Sequence, residues 1–175
     1  MNYIFIGKGF EEIEAITTID LLRRANIALR LVSLEDELTV MGAHQVQVIC
    51  DCLFKDTDFQ DAETLILPGG AVDYFSREAL HEVLLQHNAE NKRIAAICAA
   101  PSILGHLGIL KGKQAVCYPG FEKYLGESYL GGLVVESKNI ITAKGPGLSS
   151  DFAFCIIERL AGEEIADQIY DAAQY

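Results

Sequence analysis

Two side chains stand out for the chemistry that their types and spacing permit. Cys98 directly follows the apolar run Arg93 to Ile97 and precedes a helix-like stretch, with Ala96 two residues before it and Ala100 two after. That arrangement resembles a nucleophile elbow, a strained strand-to-helix turn in which small second neighbours let the backbones pass closely. A helix N-terminus beside the sulfur favours thiolate over thiol, because unpaired amides and the helix dipole stabilise negative charge there. The same pattern fits a buried structural cysteine, a common fate of free Cys. The second side chain is Glu14. On a helical wheel it falls between Leu21 and Ala25, on the arc completed by Leu22, Ala15 and Ile19, so periodicity predicts a buried carboxylate. Burial raises a carboxyl pKa, and a protonated Glu14 could donate to a neighbouring thiolate or shuttle protons for a substrate. Glu11 shares that arc but lies in the first turn, where exposure is easier, and Glu12 reads as a solvated charge at the helix start.

Other strand ends carry weaker signals. Pro68-Gly69-Gly70 offers backbone amides for an oxyanion pocket, or only a tight turn. Lys144-Gly145-Pro146-Gly147 follows an apolar run in the same way. Gly7-Lys8-Gly9 lacks the third glycine of a dinucleotide loop, and the carboxylates after it would repel a pyrophosphate, so no nucleotide site is expected. His106, eight residues past Cys98 on the same apparent helix, lies about 12 Å further along the axis and cannot be its partner base; it reads as a packing or interface residue. His44, His81 and His87 share no ligand spacing, and Cys50-Asp51-Cys52 has no second pair, so neither a metal nor another cofactor is expected.

The elements that must position these groups alternate along the chain. Strands are predicted at Tyr3 to Ile6, Ala28 to Ser33, Thr64 to Leu67, Arg93 to Ile97 and Ile140 to Ala143, several of them nearly continuously apolar as doubly buried strands are. Helices are predicted over Glu11 to Ala25, Ser76 to Asn91, Ala99 to Leu107, Ser149 to Ala161 and Glu163 to Ala173, with Gly108 and Gly162 as C-terminal caps. Leu38 to Met41 and Gln45 to Ile49, around Gly42, read as an antiparallel hairpin attached to the main sheet. The expected fold is α/β with a mostly parallel sheet, in which ligands bind beyond the carboxyl ends of the strands.

Composition narrows the partners. The 175 residues fit one domain spanning 1–175, half of them are apolar and 22% are charged, so a sizeable core can form. A net charge of −11 opposes a nucleic-acid backbone or an anionic membrane. No apolar run approaches a membrane span, and Met1 opens into a strand-like segment without a signal-peptide pattern, so a cytoplasmic protein is expected. Five cysteines, an odd number, point to reduced thiols.

Taken together and in order, Gly7-Lys8-Gly9-Phe10-Glu11-Glu12-Ile13-Glu14, Leu67-Pro68-Gly69-Gly70, Ala95-Ala96-Ile97-Cys98-Ala99-Ala100-Pro101 and Lys144-Gly145-Pro146-Gly147 resemble the ThiJ/PfpI superfamily. The similarity is to the branch of the parkinsonism-associated protein deglycase and its bacterial chaperone-like relatives. It implies a flavodoxin-like three-layer sandwich related to class I glutamine amidotransferases, usually a homodimer. It also implies Cys98 as reactive thiol, Glu14 as its acid partner, and an anion pocket lined by amides at Gly69 to Gly70 and Cys98 to Ala99. Cys50 and Arg24 would lie near the dimer interface, Arg24 otherwise being a solvated helix charge. Three departures matter. Ala99 replaces the His that follows the nucleophile in the protease-like branch, which disfavours peptidase activity. Tyr118 stands where animal relatives carry a His before Pro119; it can hydrogen-bond, which makes it a candidate for the substrate and oxyanion site, but is a poor base at neutral pH. Lys144 replaces Arg and loses bidentate anion geometry. The activity implied is a cofactor-independent glyoxalase or deglycase acting on methylglyoxal-like carbonyls or glycated groups. The alternatives are an oxidative-stress sensor or chaperone-like dimer in which Cys98 oxidises to sulfinate, or a structural dimer.

Overall fold

Short, nearly continuous apolar runs and longer amphipathic runs alternate in the computed structural model, which describes residues 1–175. In chain order the elements are β1 (Asn2–Ile6), α1 (Glu12–Arg24), β2 (Leu29–Ser33), β3 (Thr39–Met41), β4 (Gln47–Ile49), β5 (Cys52–Leu53), β6 (Thr64–Leu67), α2 (Glu78–Ala89) and β7 (Arg93–Ile97), followed by α3 (Pro101–His106), α4 (Glu122–Leu125), β8 (Val134–Ser137), β9 (Ile140–Ala143), α5 (Ser149–Ala161) and α6 (Glu163–Ala172). One seven-stranded sheet runs β5-β2-β1-β6-β7-β9-β8, parallel at every pairing except β8 with β9. The five strands predicted from sequence lie in the order 2-1-3-4-5 of the flavodoxin-like fold, and the chain reverses direction across the sheet between β1 and β6.

Strand alternation builds two cores. Ile4 and Ile6 of β1, with Ile66 and Ile97, turn toward α1, α5 and α6. Tyr3 and Phe5, with Leu65 and Leu67, turn to the other face, where α2 and α3 cover them. A sheet buried on both faces needs such uninterrupted apolar strands, and β1 is buried at all five positions. The first helix follows the charge rule for its termini, with Glu12 and Glu14 in its first turn and Arg23 and Arg24 in its last. Gly108 and Gly162 both adopt positive φ, as predicted for helix ends.

Three local expectations are corrected. The hairpin of β3 and β4 is a separate two-stranded sheet, tied to the β1–α1 loop by hydrogen bonds from the Gly9 amide to Met41 O (2.8 Å) and from the Ala43 amide to Phe10 O (2.9 Å). The helix expected from Ala99 begins at Pro101, a residue suited to a first helical position because its missing N–H costs nothing there. The edge strands β5 and β8, absent from the predicted set, complete the sheet: β5 has only two residues, and β8 mixes buried with exposed positions, so neither reads as a doubly buried apolar run. No helix of the protein is long and apolar enough to cross a membrane.

Candidate active site

Cys98 sits at the turn out of β7, three residues before Pro101, with φ +65, a left-handed conformation unfavourable to any residue with a side chain. Long-range hydrogen bonds hold it there. Its amide donates to Ala143 O on neighbouring β9 (2.9 Å), and its carbonyl accepts the Tyr118 amide (2.7 Å). Ala96 and Ala100 are buried on either side, so small second neighbours do accompany the elbow.

Glu14 approaches from α1 and is fully buried, as its helical phase predicts. Its Oε2 accepts the Gly69 amide at 2.6 Å, while Oε1 is buried without a conventional hydrogen-bond partner. Gly69 is the reason that acid and thiol can meet. A Cβ there would lie 2.6 Å from the Cys98 Cβ and 2.8 Å from Glu14 Oε2, so only glycine fits between them.

The electrostatics of the pair follow from this enclosure. Burial is the main cause that raises Glu14 to about pH 7, against the pull of the Gly69 amide and the Cys98 thiol toward the ionised form, and Glu11 adds a smaller repulsion. Burial also pushes the Cys98 thiol up to about 12, helped by the negative charge of Glu14. Two adjacent anions in one buried site repel, so the pair titrates as a unit, giving up one proton near pH 7 and holding the other far above neutrality. When that proton rests on Glu14, the repulsion disappears, and the Ala99 and Gly70 amides that favour the sulfur anion remain. The expected source of thiolate stabilisation is therefore corrected: these two amides act in place of a helix N-terminus at Cys98. Nor is Cys98 set apart by greater acidity, since burial lifts it as far as Cys50, to about 12, and Cys117 and Cys155 only to about 11. Its distinction is a partner that can take its proton.

Of the four amides expected to line an anion pocket, only two remain free for an anion. That of Gly69 is committed to Glu14, and that of Cys98 to Ala143; those of Gly70 and Ala99 face the sulfur. Tyr118 is exposed, with its ring against Gly145. Together with Pro119 and the Lys144–Leu148 loop it lines an open depression of about 270 Å³ beside the elbow, which includes Pro146. Glu11 is half-buried at the start of α1.

Other expected site residues lie elsewhere. His106 is exposed and meets Phe75 edge to face (5.3 Å). Arg24 pairs with Asp20 on the same helix (2.6 Å), and Cys50 is buried. Glu12, expected to be solvated, is buried: Oε1 accepts the His44 amide (2.6 Å), and Oε2 meets the His44 ring (2.9 Å). A side chain at Gly42 would collide with the Glu12 carboxyl, so this latch also depends on glycine. The structure thereby brings Glu11, Glu12 and His44 together, although the sequence separates His44 from the two acids by more than thirty residues. Tyr74, which sequence reading passes over, is buried and donates its hydroxyl to Pro68 O at 2.7 Å, directly behind Gly69.

Comparison with known proteins agrees with this fold. Residues 2–159 match the model of the DJ-1/PfpI family. The chain is 34% identical to Protein DJ-1 homolog B of Arabidopsis thaliana over 172 residues, covering 95% of this chain but spanning only 39% of that protein. It is 33% identical over 158 residues to the Glutathione-independent glyoxalase DJR-1.2 of Caenorhabditis elegans, covering 88% of this chain and 84% of the relative. The solved structure of oxidised Toxoplasma gondii DJ-1 superposes with a TM-score of 0.94 at 34% identity, covering 99% of this chain and 97% of that one. With the family pattern spanning both the Glu14 helix and the Cys98 elbow, this protein belongs to the DJ-1/PfpI family.

Proposed function

We propose that residues 1–175 form one catalytic domain that converts methylglyoxal-like carbonyls, or glycated groups derived from them, without a cofactor. The observation that carries this reading is the Glu14–Cys98 pair closed over Gly69. A proton moves from Cys98 to Glu14, and the thiolate adds to the aldehyde carbon of methylglyoxal to give a hemithioacetal, whose oxygen takes that proton back from Glu14. The carboxylate of Glu14 then removes the proton from that carbon and returns it to the adjacent ketone carbon, while the hydroxyl proton passes to the former ketone oxygen, leaving a lactoyl thioester. Water cleaves the thioester, releasing lactate and restoring the thiol. The net change is methylglyoxal plus water to lactate plus a proton. The Gly70 and Ala99 amides supply donors for the oxyanion that develops beside the sulfur. Lys144 and Tyr118 form the open rim through which a small carbonyl enters, and a hemithioacetal on a glycated thiol would be read by the same groups. The glyoxalase name of the Caenorhabditis elegans relative supports this class.

Proton NMR of the purified protein with methylglyoxal, in metal-free buffer without glutathione, tests the reading. The parent forms lactate, whereas Cys98→Ala and Glu14→Gln do not; lactate from Cys98→Ala at the parental rate would refute the assignment.

A second reading is favoured by the two amides aimed at the sulfur and by the oxidised Toxoplasma gondii relative. Peroxide would oxidise Cys98 through sulfenate to sulfinate, one peroxide reduced to water at each step, in a stress sensor or chaperone-like dimer. Peptide mass mapping after mild peroxide should find Cys98 modified first, and earlier oxidation of Cys155 would remove this reading. In either role we assign a homodimer built on the α1 and hairpin face, where Ile13, Ile16 and Ile49 are exposed. Light scattering should give twice the monomer mass, and Ile16→Lys should reduce it toward the monomer.

A further inference from the structure

The amide that holds Glu14 and the carbonyl that accepts Tyr74 belong to one peptide group. Pro68 O takes the Tyr74 hydroxyl at 2.7 Å, and the N–H on the far side of the same peptide bond, that of Gly69, donates to Glu14 Oε2 at 2.6 Å. All three partners are buried, so water does not compete for either bond. A hydroxyl donating to a peptide oxygen polarises the amide and makes its N–H a stronger donor, because chained hydrogen bonds reinforce one another. We propose that Tyr74 is a positioning residue for Glu14, acting through the Pro68–Gly69 peptide to strengthen and orient the hydrogen bond that holds the carboxyl against Cys98. This deepens the catalytic reading above and takes the role of Glu14 from it.

The surroundings of Tyr74 suit a fixed donor. Its carbonyl meets His81 Nε2 at 2.7 Å, and Arg77 ties the same loop to the Leu34 carbonyl and to Glu35, whose carboxylate lies 2.7 Å from the guanidinium. The ring packs in the core on the α2 side, and the hydroxyl is held neutral by burial and by the nearby Glu14 charge. The ionisable groups that bear on Glu14 are Cys98 on the elbow, Glu11 on its own helix and Tyr74; Arg77 acts on Tyr74. Of these, Tyr74 alone reaches the carboxyl through a backbone relay.

The test is the midpoint of Glu14 in a carbon-13 carboxyl titration, without substrate, in the parent, in Tyr74→Phe and in protein carrying 3-fluorotyrosine at position 74. Removing the hydroxyl weakens the Gly69 donor, so Tyr74→Phe should bind the Glu14 proton about threefold more tightly and move the midpoint up by roughly half a pH unit. Fluorination makes the hydroxyl a stronger donor and should move the midpoint down. A merely structural tyrosine gives no such opposed pair of shifts. Unchanged midpoints, or shifts of the same sign in both variants, would overturn the proposal. If Tyr74→Phe does not fold, the fluorinated protein still decides, because its shape is nearly unchanged. Opposed shifts in a protein that makes no lactate would sustain the relay while refuting the catalytic reading, and lactate formation with unmoved midpoints would do the reverse.

Discussion

Glu12 and Glu14 leave the first turn of the same helix two residues apart, both are buried, and their proton affinities move in opposite directions. For both, burial is the largest influence and raises the pKa. At Glu12 it is outweighed by the His44 side chain and by the backbone amides of Glu12, His44 and Val46, and the carboxyl ends below its ordinary value. At Glu14 a single amide and a thiol do not outweigh it, and the group reaches about 7. The number of donors around a buried carboxylate thus decides whether it stays a structural anion or becomes a proton carrier. One acid fastens the hairpin, and the other faces the thiol.

The largest effect should come from closing the gap that lets Glu14 meet Cys98. Gly69→Ala places a methyl group between them and should lower carbonyl turnover by about a hundredfold, the scale expected for an ångström of misplacement at a reacting centre. Gly42→Ala, the matching change at the Glu12 latch, should lower the melting temperature while leaving Cys98 alkylation near the parental rate. Equal effects on alkylation would dissolve the distinction between the two regions.

The pH dependence of stability separates the acids by sign. Glu14 has a folded pKa above its unfolded value of 4.5, so the stability it contributes is fully present below that value and is lost as pH rises toward about 7. Urea melts of the parent against Glu14→Gln should show the parent losing on the order of 3 kcal/mol relative to the variant between pH 4 and pH 8. Glu12, with its folded pKa lowered, contributes stability that is present above its unfolded value and is lost as pH falls through the folded one. Glu12→Gln should therefore cost roughly 1–3 kcal/mol at pH 7, the range for leaving buried donors poorly paired, and less in acid.

Much of this was legible in the sequence, for local reasons. The nearly continuous apolar strands and the helical phase of Glu14 are short-range patterns, and the ordered motifs carried the fold and the elbow. Glu12 was misread because its partners, His44 and Val46, sit across a hairpin whose docking no local pattern encodes. The commitment of the Gly69 amide to Glu14 was hidden for the same reason, since the two are 55 residues apart. Tyr74 follows a Pro-Gly-Gly turn at a position where an aromatic side chain has no local signature, and only the fold turns its hydroxyl back to Pro68.

The smallest effect is expected at the rim. The Tyr118 hydroxyl has no protein partner, and the residue acts on the elbow through its backbone, so Tyr118→Phe should change turnover by no more than about twofold. A larger loss would return that phenol to the substrate site.

Both carboxylates can be followed at once in a carbon-13 titration of the glutamate side chains, with Glu12→Gln and Glu14→Gln assigning the two signals. The account predicts a Glu14 midpoint near pH 7 and a Glu12 midpoint below 4.5. A Glu14 midpoint at or below 4.5 would mean that it carries no proton at neutral pH, and the shared-proton pair with Cys98 would not exist.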